Sequence, residues 1–321
     1  MKKITLLLFI QFYCTMILAQ PTDHSNIKLF RFGSIENEKP AVEYYNGTRL
    51  DVSAFGEDYN EKFFSTDGIT RLQKWLRTNA SKCPAVPLNM RTGSCVARPS
   101  KIVAVGLNYI EHVKEGSGGD SASIPSEPIL FLKSTSALCG PFDDAIIPKD
   151  SKKMDWEVEL AVIIGKKASY VSESDAISYV AGYSVMNDYS EREWQLEKDG
   201  GQWDKGKSSD TFAPLGPYLI LPHSLTDPQN LNLWLKVNDI TMQQANTRDM
   251  IFNLSRLISY ISYHMTLLPG DVISTGTPSG VGNGRKPPVF LKEGDIVELG
   301  VENIGIQRQN VITYNKSITR Y

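Results

Sequence analysis

An acidic segment near the middle of the chain is the first candidate for chemistry. Asp155, Glu157 and Glu159 alternate with apolar residues, and an uninterrupted apolar run follows them. This period of two indicates a β-strand, on which successive carboxylates project from one face about 7 Å apart. Neighbouring carboxylates repel each other unless a cation lies between them, and oxygen ligands suit Mg²⁺, Mn²⁺ or Ca²⁺. The segment therefore predicts either a metal site or a solvated acidic strand face.

Asp188 is the third candidate metal ligand. It closes an apolar, strand-like segment, and Ser190 to Glu193 after it have the pattern of a capping box that opens a short helix. A carboxylate at the end of a strand is well placed to converge on a site, although an ordinary turn residue is the alternative. Glu157, Glu159 and Asp188 together predict a metal centre built from three carboxylates.

His112 and Glu115 could form a pair that activates water. They lie three residues apart after a predicted strand that ends at Leu107, with Asn108 placed to cap the helix and Gly116 to end it. Residues three apart share a helix face, so Glu115 can orient His112 and raise its basicity. An exposed histidine in a surface helix pair is the alternative interpretation.

Lys207 and a glycine-rich loop complete the candidates. Lys207 lies in a polar segment that contains glycine, where it could neutralise a substrate oxyanion or simply face solvent. The loop from Gly276 to Gly284 follows a predicted strand and could offer backbone N–H groups to a carboxylate. It is no dinucleotide-binding motif, because Pro287 and Pro288 rather than a helix follow it.

The elements that must position these residues indicate an α+β fold rich in strands. Residues 27–98 contain short strand-like pieces, a turn at Asn46-Gly47 and an amphipathic helix after Gly68, and we interpret them as a small N-terminal domain. Residues 99–321 form the second, catalytic domain. Besides the helix after Asn108 and the short one after Ser190, two clear helices are predicted there, at 175–180 and 250–267, and such a sequence does not alternate as a doubly wound sheet requires. The strands are predicted at residues 102–107, 128–133, 157–164, 181–188, 231–237, 271–275 and 295–301.

Residues 1–19 have the layout of a secretory signal peptide. Lys2 and Lys3 precede an apolar stretch from residue 4 to residue 18, and the small residue Ala19 follows. The stretch is shorter than the roughly 20 apolar residues of a membrane span, and Cys14 lacks the small-residue pattern of a lipid-anchored cysteine. We therefore predict an exported protein, periplasmic or secreted, that has no membrane contact after cleavage.

Composition excludes some partners and leaves the cysteines open. The formal net charge is -2 and the charges are interspersed, so no basic surface for nucleic acid or anionic membrane is expected. With 41% hydrophobic residues, the chain can build a sizeable core. Cys83, Cys95 and Cys139 lack the spacing of a metal site, and Cys83 and Cys95 could form a disulfide or stay buried thiols.

Five ordered motifs resemble the fumarylacetoacetate hydrolase family, from about residue 101 to residue 311. The motifs are Val105-Gly106-Leu107-Asn108-Tyr109 with His112 and Glu115, Asp155-Trp156-Glu157-Val158-Glu159-Leu160, Asn187-Asp188, Gly206-Lys207-Ser208, and Gly276-Thr277-Pro278-Ser279-Gly280-Val281-Gly282. The resemblance implies a mixed β-roll catalytic domain, and usually a homodimer. The chain looks most similar to the branch that includes 2,4-diketo-3-deoxy-L-fuconate hydrolases and proteins labelled ureidoglycolate lyase.

The same resemblance implies roles for ten residues and a divalent ion, Mg²⁺ or a similar ion such as Mn²⁺. His112 with Glu115 is expected to activate water, and Lys207 to polarise the substrate. The residues assigned in this way are Glu157, Glu159 and Asp188 for the metal, His112, Glu115 and Lys207 for catalysis, and Lys133, Arg192, Gln195 and Thr277 for substrate contact.

We therefore predict a divalent-metal-dependent hydrolase that cleaves a carbon–carbon bond in a small 2,4-diketo acid, either an acylpyruvate or a sugar-acid derivative. The metal would hold the 2-keto acid end while water attacks the 4-carbonyl. A metal-dependent decarboxylase or tautomerase of an oxaloacetate-like keto acid would need the same site. An exported sugar-acid-binding protein without turnover, or a calcium-stabilised structural module, are alternatives from other classes.

Overall fold

The computed structural model describes residues 23–117, 123–198 and 201–315. The predicted signal peptide, residues 1–19, and Cys14 lie outside these residues. The described part of the chain is mixed α/β structure dominated by strands, which confirms the predicted fold class. None of its helices combines the length and the apolar character that crossing a bilayer requires.

The strands are numbered in chain order. They are β1 (Ile27–Phe32), β2 (Lys39–Tyr44), β3 (Arg49–Asp51), β4 (Thr92–Gly93), β5 (Ile102–Gly106), β6 (Ile129–Lys133), β7 (Leu138–Cys139), β8 (Ala145–Ile147), β9 (Met154–Asp155), β10 (Val158–Ile164), β11 (Val180–Asn187), β12 (Ser190–Glu191), β13 (Ala213–Ile220), β14 (Asn232–Val237), β15 (Ile240–Asn246), β16 (Val272–Ser274), β17 (Ile296–Val301) and β18 (Gly305–Thr313). The α-helices are α1 (Glu61–Ser65), α2 (Gly68–Asn79), α3 (Ile110–Ser117), α4 (Trp203–Lys207) and α5 (Leu254–His264).

The largest sheet has the strand order β3-β2-β1-β13-β11-β10-β16-β5-β6, with β4 paired to β1 and β7 paired to β13. A second sheet has the order β15-β14-β17-β18-β8, and β9 pairs with β12. Most pairs are antiparallel, but β16 runs parallel to β5, β7 to β13, and β8 to β18. Both larger sheets are therefore mixed.

One hydrophobic core extends from Ile27 in β1 to Val311 in β18. The N-terminal strands join the large sheet through β1, where Leu29 lies opposite Leu219 of β13. The amphipathic helix predicted after Gly68 is confirmed as α2, with Leu72 and Leu76 buried on its inner face. The division of the chain into domains at residue 98 stays a prediction.

Strand directions bring four chain segments to one edge of the large sheet. Because β5 and β16 are parallel, the loops that follow both strands lie at the same edge. The antiparallel strand β10 begins there, and β11, which is antiparallel to β10, ends there with Asn187 opposite Val158. The acidic segment, Asp188, the helix with His112 and the glycine-rich loop are thereby brought together.

Two local predictions were wrong, each for an identifiable reason. Asn108 does not cap α3, because its amide bonds to the backbone of Phe252 and Thr275 and joins two loops. Ser190 and Glu193 form no capping box, since Ser190 pairs with Asp155 in the short sheet of β12 and β9. The helix that follows is one turn of π-helix, Glu193–Glu197.

The two helices predicted at 175–180 and 250–267 are shorter in the structure. Residues 175–180 form only a 3₁₀ turn, Ala176–Tyr179. Helix α5 begins after Asn253, whose side chain accepts a hydrogen bond from the Arg256 N–H. It ends before Leu267, because Leu267 exchanges backbone hydrogen bonds with Ala168.

The cysteines form no disulfide in the described residues. The Cys83 thiol donates to the Asn79 carbonyl at 3.4 Å, whereas the buried Cys95 thiol donates to the Ser184 hydroxyl at 3.4 Å. Burial raises the pKa of Cys95 to about 12. Of the two alternatives left open by the sequence, the structure therefore contains thiols.

Candidate metal centre and active site

Three carboxylates meet at the sheet edge where β10 begins and β11 ends. Each of Glu157, Glu159 and Asp188 offers an oxygen, and these oxygens all lie within 4.8 Å of one another. At most 4% of any of these residues is exposed. The convergence predicted from the sequence is therefore present, and the alternative of a solvated acidic strand face is wrong.

Three cations neutralise part of this acidic cluster. The Lys207 ammonium lies 2.6 Å from a Glu157 oxygen and 2.9 Å from an Asp188 oxygen. Lys133 donates to the other Asp188 oxygen at 2.5 Å, and Arg192 contacts the other Glu157 oxygen at 2.7 Å. All three cations are buried, so these charge pairs are shielded from water.

The two glutamates of the cluster have opposite pKa shifts. Burial alone would raise the pKa of Glu157, but the charges of Lys207 and Arg192 outweigh it and lower the pKa to about 2. For Glu159, burial and the negative charges of Asp188 and Glu157 raise the pKa well above its usual value. Without a bound cation, the cluster thus resists a third negative charge.

Glu159 is held by one oxygen and presents the other. Its Oε2 accepts hydrogen bonds from the Ser274 hydroxyl at 2.6 Å and from the Gly276 N–H at 2.8 Å. Within the described residues Oε1 binds no donor. Ser274 ends β16 and Gly276 begins the glycine-rich loop, so the parallel β5–β16 pair fixes the orientation of this carboxylate.

The donor set fits a hard divalent cation. Its three ligands are carboxylates, they are buried together, and the Oε1 atom of Glu159 is available. Repulsion by Asp188 and Glu157 raises the pKa of Glu159, and a doubly charged ion would offset that repulsion. Oxygen-only ligation suits Mg²⁺, Mn²⁺ or Ca²⁺ rather than a metal that prefers sulfur or nitrogen.

His112 and Glu115 form a hydrogen-bonded pair on α3. The Nδ1 atom of His112 lies 3.1 Å from Oε2 of Glu115. Because an ionised carboxylate only accepts, Nδ1 carries the proton and Nε2 has a free lone pair. Glu115 is itself fixed by the Gly280 N–H, at 3.0 Å and 3.2 Å from its two oxygens. Both side chains are largely buried, which excludes the alternative of an exposed surface pair.

The glycine-rich loop binds carboxylates of the protein itself. Its N–H groups at Gly276 and Gly280 hold Glu159 and Glu115, respectively. Those of Gly282 and Asn283 hold Asp155 at 2.7 Å and 2.9 Å. The prediction that this loop offers N–H groups to a carboxylate is therefore confirmed, and the carboxylates are those of neighbouring side chains.

Asp155 is a site residue whose role the sequence did not reveal. The strand is interrupted at residues 156 and 157, so Asp155 does not share a face with Glu157 and Glu159. It turns instead to the glycine-rich loop and to Arg192, whose Nε donates to it at 2.8 Å. Arg192 therefore links Asp155 to Glu157, and in this way it links the loop to the cluster of carboxylates.

Gln195 and Thr277 lie at the same site. Gln195 accepts a hydrogen bond from Arg192 at 2.9 Å through its amide oxygen, and the residue lines the cavity. The Thr277 hydroxyl donates to the Val158 carbonyl at 3.0 Å. It also accepts from the buried amide of Gln243, a residue of β15 that the sequence did not single out. Gln243 additionally binds the Pro278 carbonyl and so secures the loop.

A cavity of about 300 Å³ opens onto the cluster. His112, Glu157, Glu159 and Lys207 line it. Apolar side chains line it as well, among them Leu107, Val113, Phe131, Leu196, Trp203 and Val281, together with the polar Ser123 and Asn283. Eight of the ten residues that the resemblance assigned to the site line this cavity, and the other two, Asp188 and Lys133, each bind Lys207, which lines it.

Residues 101–312 match the family model described as fumarylacetoacetate (FAA) hydrolase, C-terminal. The chain belongs to the fumarylacetoacetate hydrolase family. A curated relative from Burkholderia ambifaria, whose name goes no further than hydrolase, is 48% identical over 285 residues, which cover 88% of this chain and 98% of that protein.

Two solved structures show which activities occur among the relatives. Maleylpyruvate hydrolase from Sphingobium sp. SYK-6, solved with manganese(II) and pyruvate, is 29% identical with a TM-score of 0.73, covering 90% of this chain and all of that one. A 2-hydroxyhepta-2,4-diene-1,7-dioate isomerase from Mycobacterium marinum is 30% identical with a TM-score of 0.70, and the match covers 91% of this chain and all of that one. The family prediction is confirmed, and the comparisons support an enzyme of hydrolase or isomerase type with an acidic site for a divalent metal.

Proposed function

We propose that this protein is a divalent-metal-dependent hydrolase that cleaves the carbon–carbon bond of a small 2,4-diketo acid of the acylpyruvate type. One observation carries the proposal. The carboxylates of Glu157 and Glu159, which meet that of Asp188, share a single cavity with the His112–Glu115 pair. A keto acid would thus meet an electrophilic centre and a general base in one enclosed space.

Glu157, Glu159 and Asp188 would hold Mg²⁺ or Mn²⁺. When bound, the ion supplies Lewis-acid chemistry to the 2-keto acid end of the substrate. The related maleylpyruvate hydrolase, solved with manganese(II) and pyruvate, supports this choice of ion and ligand. Lys133 and Lys207 orient Asp188, because each donates to a different oxygen of that carboxylate.

His112 acts as the general base. Its Nε2 lone pair takes a proton from a water molecule while Nδ1–H stays bonded to Glu115. The negative Glu115 stabilises the imidazolium that forms, and the Gly280 N–H keeps Glu115 in place. The two partners therefore fix both the tautomer and the direction of the histidine.

The oxygen of that water attacks the 4-carbonyl, and the bond between C3 and C4 breaks. The acyl group leaves as a carboxylic acid, and C3 takes up a proton to give pyruvate, so one water is consumed per substrate. An ammonium group has three protons, and Lys207 uses two for Glu157 and Asp188. The third can be donated to the oxyanion at C4, and the Gln195 NH₂ group offers a further donor.

The direct test is turnover of acylpyruvates by the purified protein with Mg²⁺ or Mn²⁺. Loss of the enol absorbance, with pyruvate and a carboxylic acid formed in equal amounts, is the expected result. Glu157→Gln should lose both metal binding and turnover. Full metal-dependent activity in that variant would refute the ligand assignment, and no turnover of any 2,4-diketo acid would refute the reaction.

Isomerisation is the competing reaction, because a structural relative is an isomerase. Isomerisation moves a proton and leaves the carbon skeleton intact, whereas hydrolysis yields two fragments. Decarboxylation of an oxaloacetate-like acid releases carbon dioxide without a second carboxylic or aldehyde fragment. A product assay by mass spectrometry therefore separates all three reactions, and a single product with the mass of the substrate would favour isomerisation.

We also propose that the mature enzyme is an exported homodimer. The layout of residues 1–19 supports export, and the resemblance supports the dimer. Cell fractionation with N-terminal sequencing should find a chain that begins near residue 20 outside the cytoplasm. Light scattering of the purified protein should give twice the mass of that chain, and a monomer would contradict the dimer.

A further inference from the structure

We infer that the acyl end of the substrate is uncharged and apolar. This inference rests on the proposed function, since it describes the part of a 2,4-diketo acid that lies away from the metal. It concerns the apolar side chains that line the cavity, and a substrate with a second carboxylate at its far end is the alternative that these side chains argue against.

An aromatic pair adjoins the charged end of the cavity. The Lys207 ammonium lies 5.1 Å from the ring centre of Phe131, and Phe131 meets Trp203 edge to face at 5.4 Å. Trp203 also packs closely against Gly106 at the end of β5, where a Cβ atom would lie 2.3 Å from the indole ring. The absence of a side chain at Gly106 thus allows Trp203 to form a fixed wall of the cavity.

Aliphatic side chains also line this cavity, beside the polar Ser123, Gln195 and Asn283. Leu107 follows β5, Val113 lies on α3 and Val281 lies on the glycine-rich loop, while Leu196 projects from the π-helical turn. Four different segments therefore supply apolar side chains to one surface. Such a surface gains free energy from covering an apolar group and loses it when a carboxylate is stripped of water.

The cations that line the cavity in the described residues already have partners. Arg192 donates to Asp155 and Gln195 and contacts Glu157, and Lys207 binds Glu157 and Asp188. A second substrate carboxylate would therefore have to share its cation with a carboxylate of the protein. His112 is committed to Glu115 through Nδ1.

Backbone donors are occupied as well. The N–H groups of Gly280, Gly282 and Asn283 bind Glu115 or Asp155, so this part of the loop offers no cradle for an anion. The short segments 118–122 and 199–200, which adjoin lining residues in the sequence, contain two aspartates and no lysine, arginine or histidine. They add no positive charge near the ends of these elements.

Matched substrates test the inference. Butanoylpyruvate and succinylpyruvate differ only in a terminal methyl or carboxylate, and 3,4-dihydroxybutanoylpyruvate adds hydroxyls to a chain of similar length. With the purified protein and Mg²⁺, kcat/KM should be at least about tenfold higher for butanoylpyruvate than for either analogue. A smaller difference, or a preference for succinylpyruvate, overturns the inference while leaving the proposed hydrolase intact.

A binding measurement keeps the two proposals separate. In calorimetry with the Mg²⁺-loaded protein, 2-oxopentanoate should bind at least about tenfold more tightly than 2-oxoglutarate, which carries a carboxylate in place of its methyl group. Failure of every 2,4-diketo acid to turn over would sink the proposed reaction, whereas equal binding of these two acids would sink the apolar subsite.

Leu196→Arg supplies the complementary test. Leu196 is 45% exposed, so its replacement leaves the core undisturbed. An arginine there should reduce the preference for butanoylpyruvate over succinylpyruvate by about tenfold, because it offers the distal carboxylate a partner. Leu196→Gln, which is polar but uncharged, should change the ratio much less. An unchanged ratio in folded Leu196→Arg would contradict an apolar wall at this position.

Discussion

The ammonium of Lys207 lies 2.6 Å from a carboxylate oxygen of Glu157, and both side chains are buried. The lysine comes from α4, whereas the glutamate immediately precedes β10. This contact neutralises charge, and it also joins a short helix to the sheet edge where the three carboxylates meet. Its removal should affect stability and metal binding in different directions.

Lys207→Met tests that double role. Without the ammonium, Glu157 and Asp188 lose a buried partner, so the free energy of unfolding in the absence of metal should fall by about 3 kcal/mol. Added Mg²⁺ should stabilise the variant more than the parent protein, because the ion then replaces the lost charge. Urea unfolding with and without Mg²⁺ measures both effects, and Lys207→Arg is the matched control that keeps the charge. Equal stabilisation of all three proteins would contradict this account.

Glu159→Gln should remove one metal ligand while leaving most of its packing in place. The amide can still accept from Ser274 and Gly276, so the fold should persist. The increase in melting temperature that Mn²⁺ gives the parent protein should disappear, because a neutral amide is a weaker ligand for a hard cation. Glu298→Gln, in β17 of the other sheet, is the control and should keep the full increase. Retention of the increase in Glu159→Gln would exclude this carboxylate from the metal site.

Asp155→Asn should disturb positioning without removing a metal ligand. Asp155 accepts from Gly282, Asn283 and Arg192, and an amide can satisfy only part of this set. We expect kcat to fall by about ten- to a hundredfold, as for other residues that orient a site, while the affinity for Mn²⁺ changes much less. Steady-state kinetics and calorimetry measure the two quantities separately. A parallel loss of both would instead make Asp155 part of the metal site.

Sequence patterns predicted the strands well, because the signals are local. The alternation around Glu157 and the apolar run after it define β10, and the helix after Gly68 follows from its periodicity. The motifs alone predicted that Glu157, Glu159 and Asp188 converge, since each lies next to a strong strand signal. The arrangement of these strands at one edge also depends on the parallel pair β5–β16, which no local pattern reveals.

Predictions failed where hydrogen bonds join residues far apart in the chain. Asn108 has the sequence context of a helix cap, yet it binds loops more than 140 residues away. Asp155 belongs to the acidic pattern, but the strand break after it turns its side chain towards Gly282. Gln243 lies in an ordinary alternating strand, and only its burial beside Thr277 identifies its role. Tertiary partners, which are invisible in one sequence, decide such positions.

Cys83 and Cys95 should react differently with thiol reagents. Burial raises the pKa of both, to about 12 for Cys95, so their thiolates are scarce at neutral pH. In the native protein at pH 7, iodoacetamide should modify the half-buried Cys83 slowly and leave Cys95 untouched, and the rate at Cys83 should increase with pH. After unfolding without reductant both should be alkylated, as mass spectrometry can show. Protection of the pair after unfolding would indicate a disulfide instead.

Gly284→Ala should disturb the His112–Glu115 pair and leave the cluster of carboxylates unchanged. A Cβ atom at residue 284 would lie 2.2 Å from the Glu115 side chain, so Glu115 must move and its hydrogen bond to His112 must weaken. Metal binding should persist, because none of the three ligand carboxylates contacts Gly284. The rate should fall by about a hundredfold, the lower end of what a positioned general base contributes. Gly116→Ala, where a Cβ atom meets nothing within 4 Å, is the matched control for the added methyl group. An unchanged kcat in folded Gly284→Ala would show that Glu115 does not orient the base.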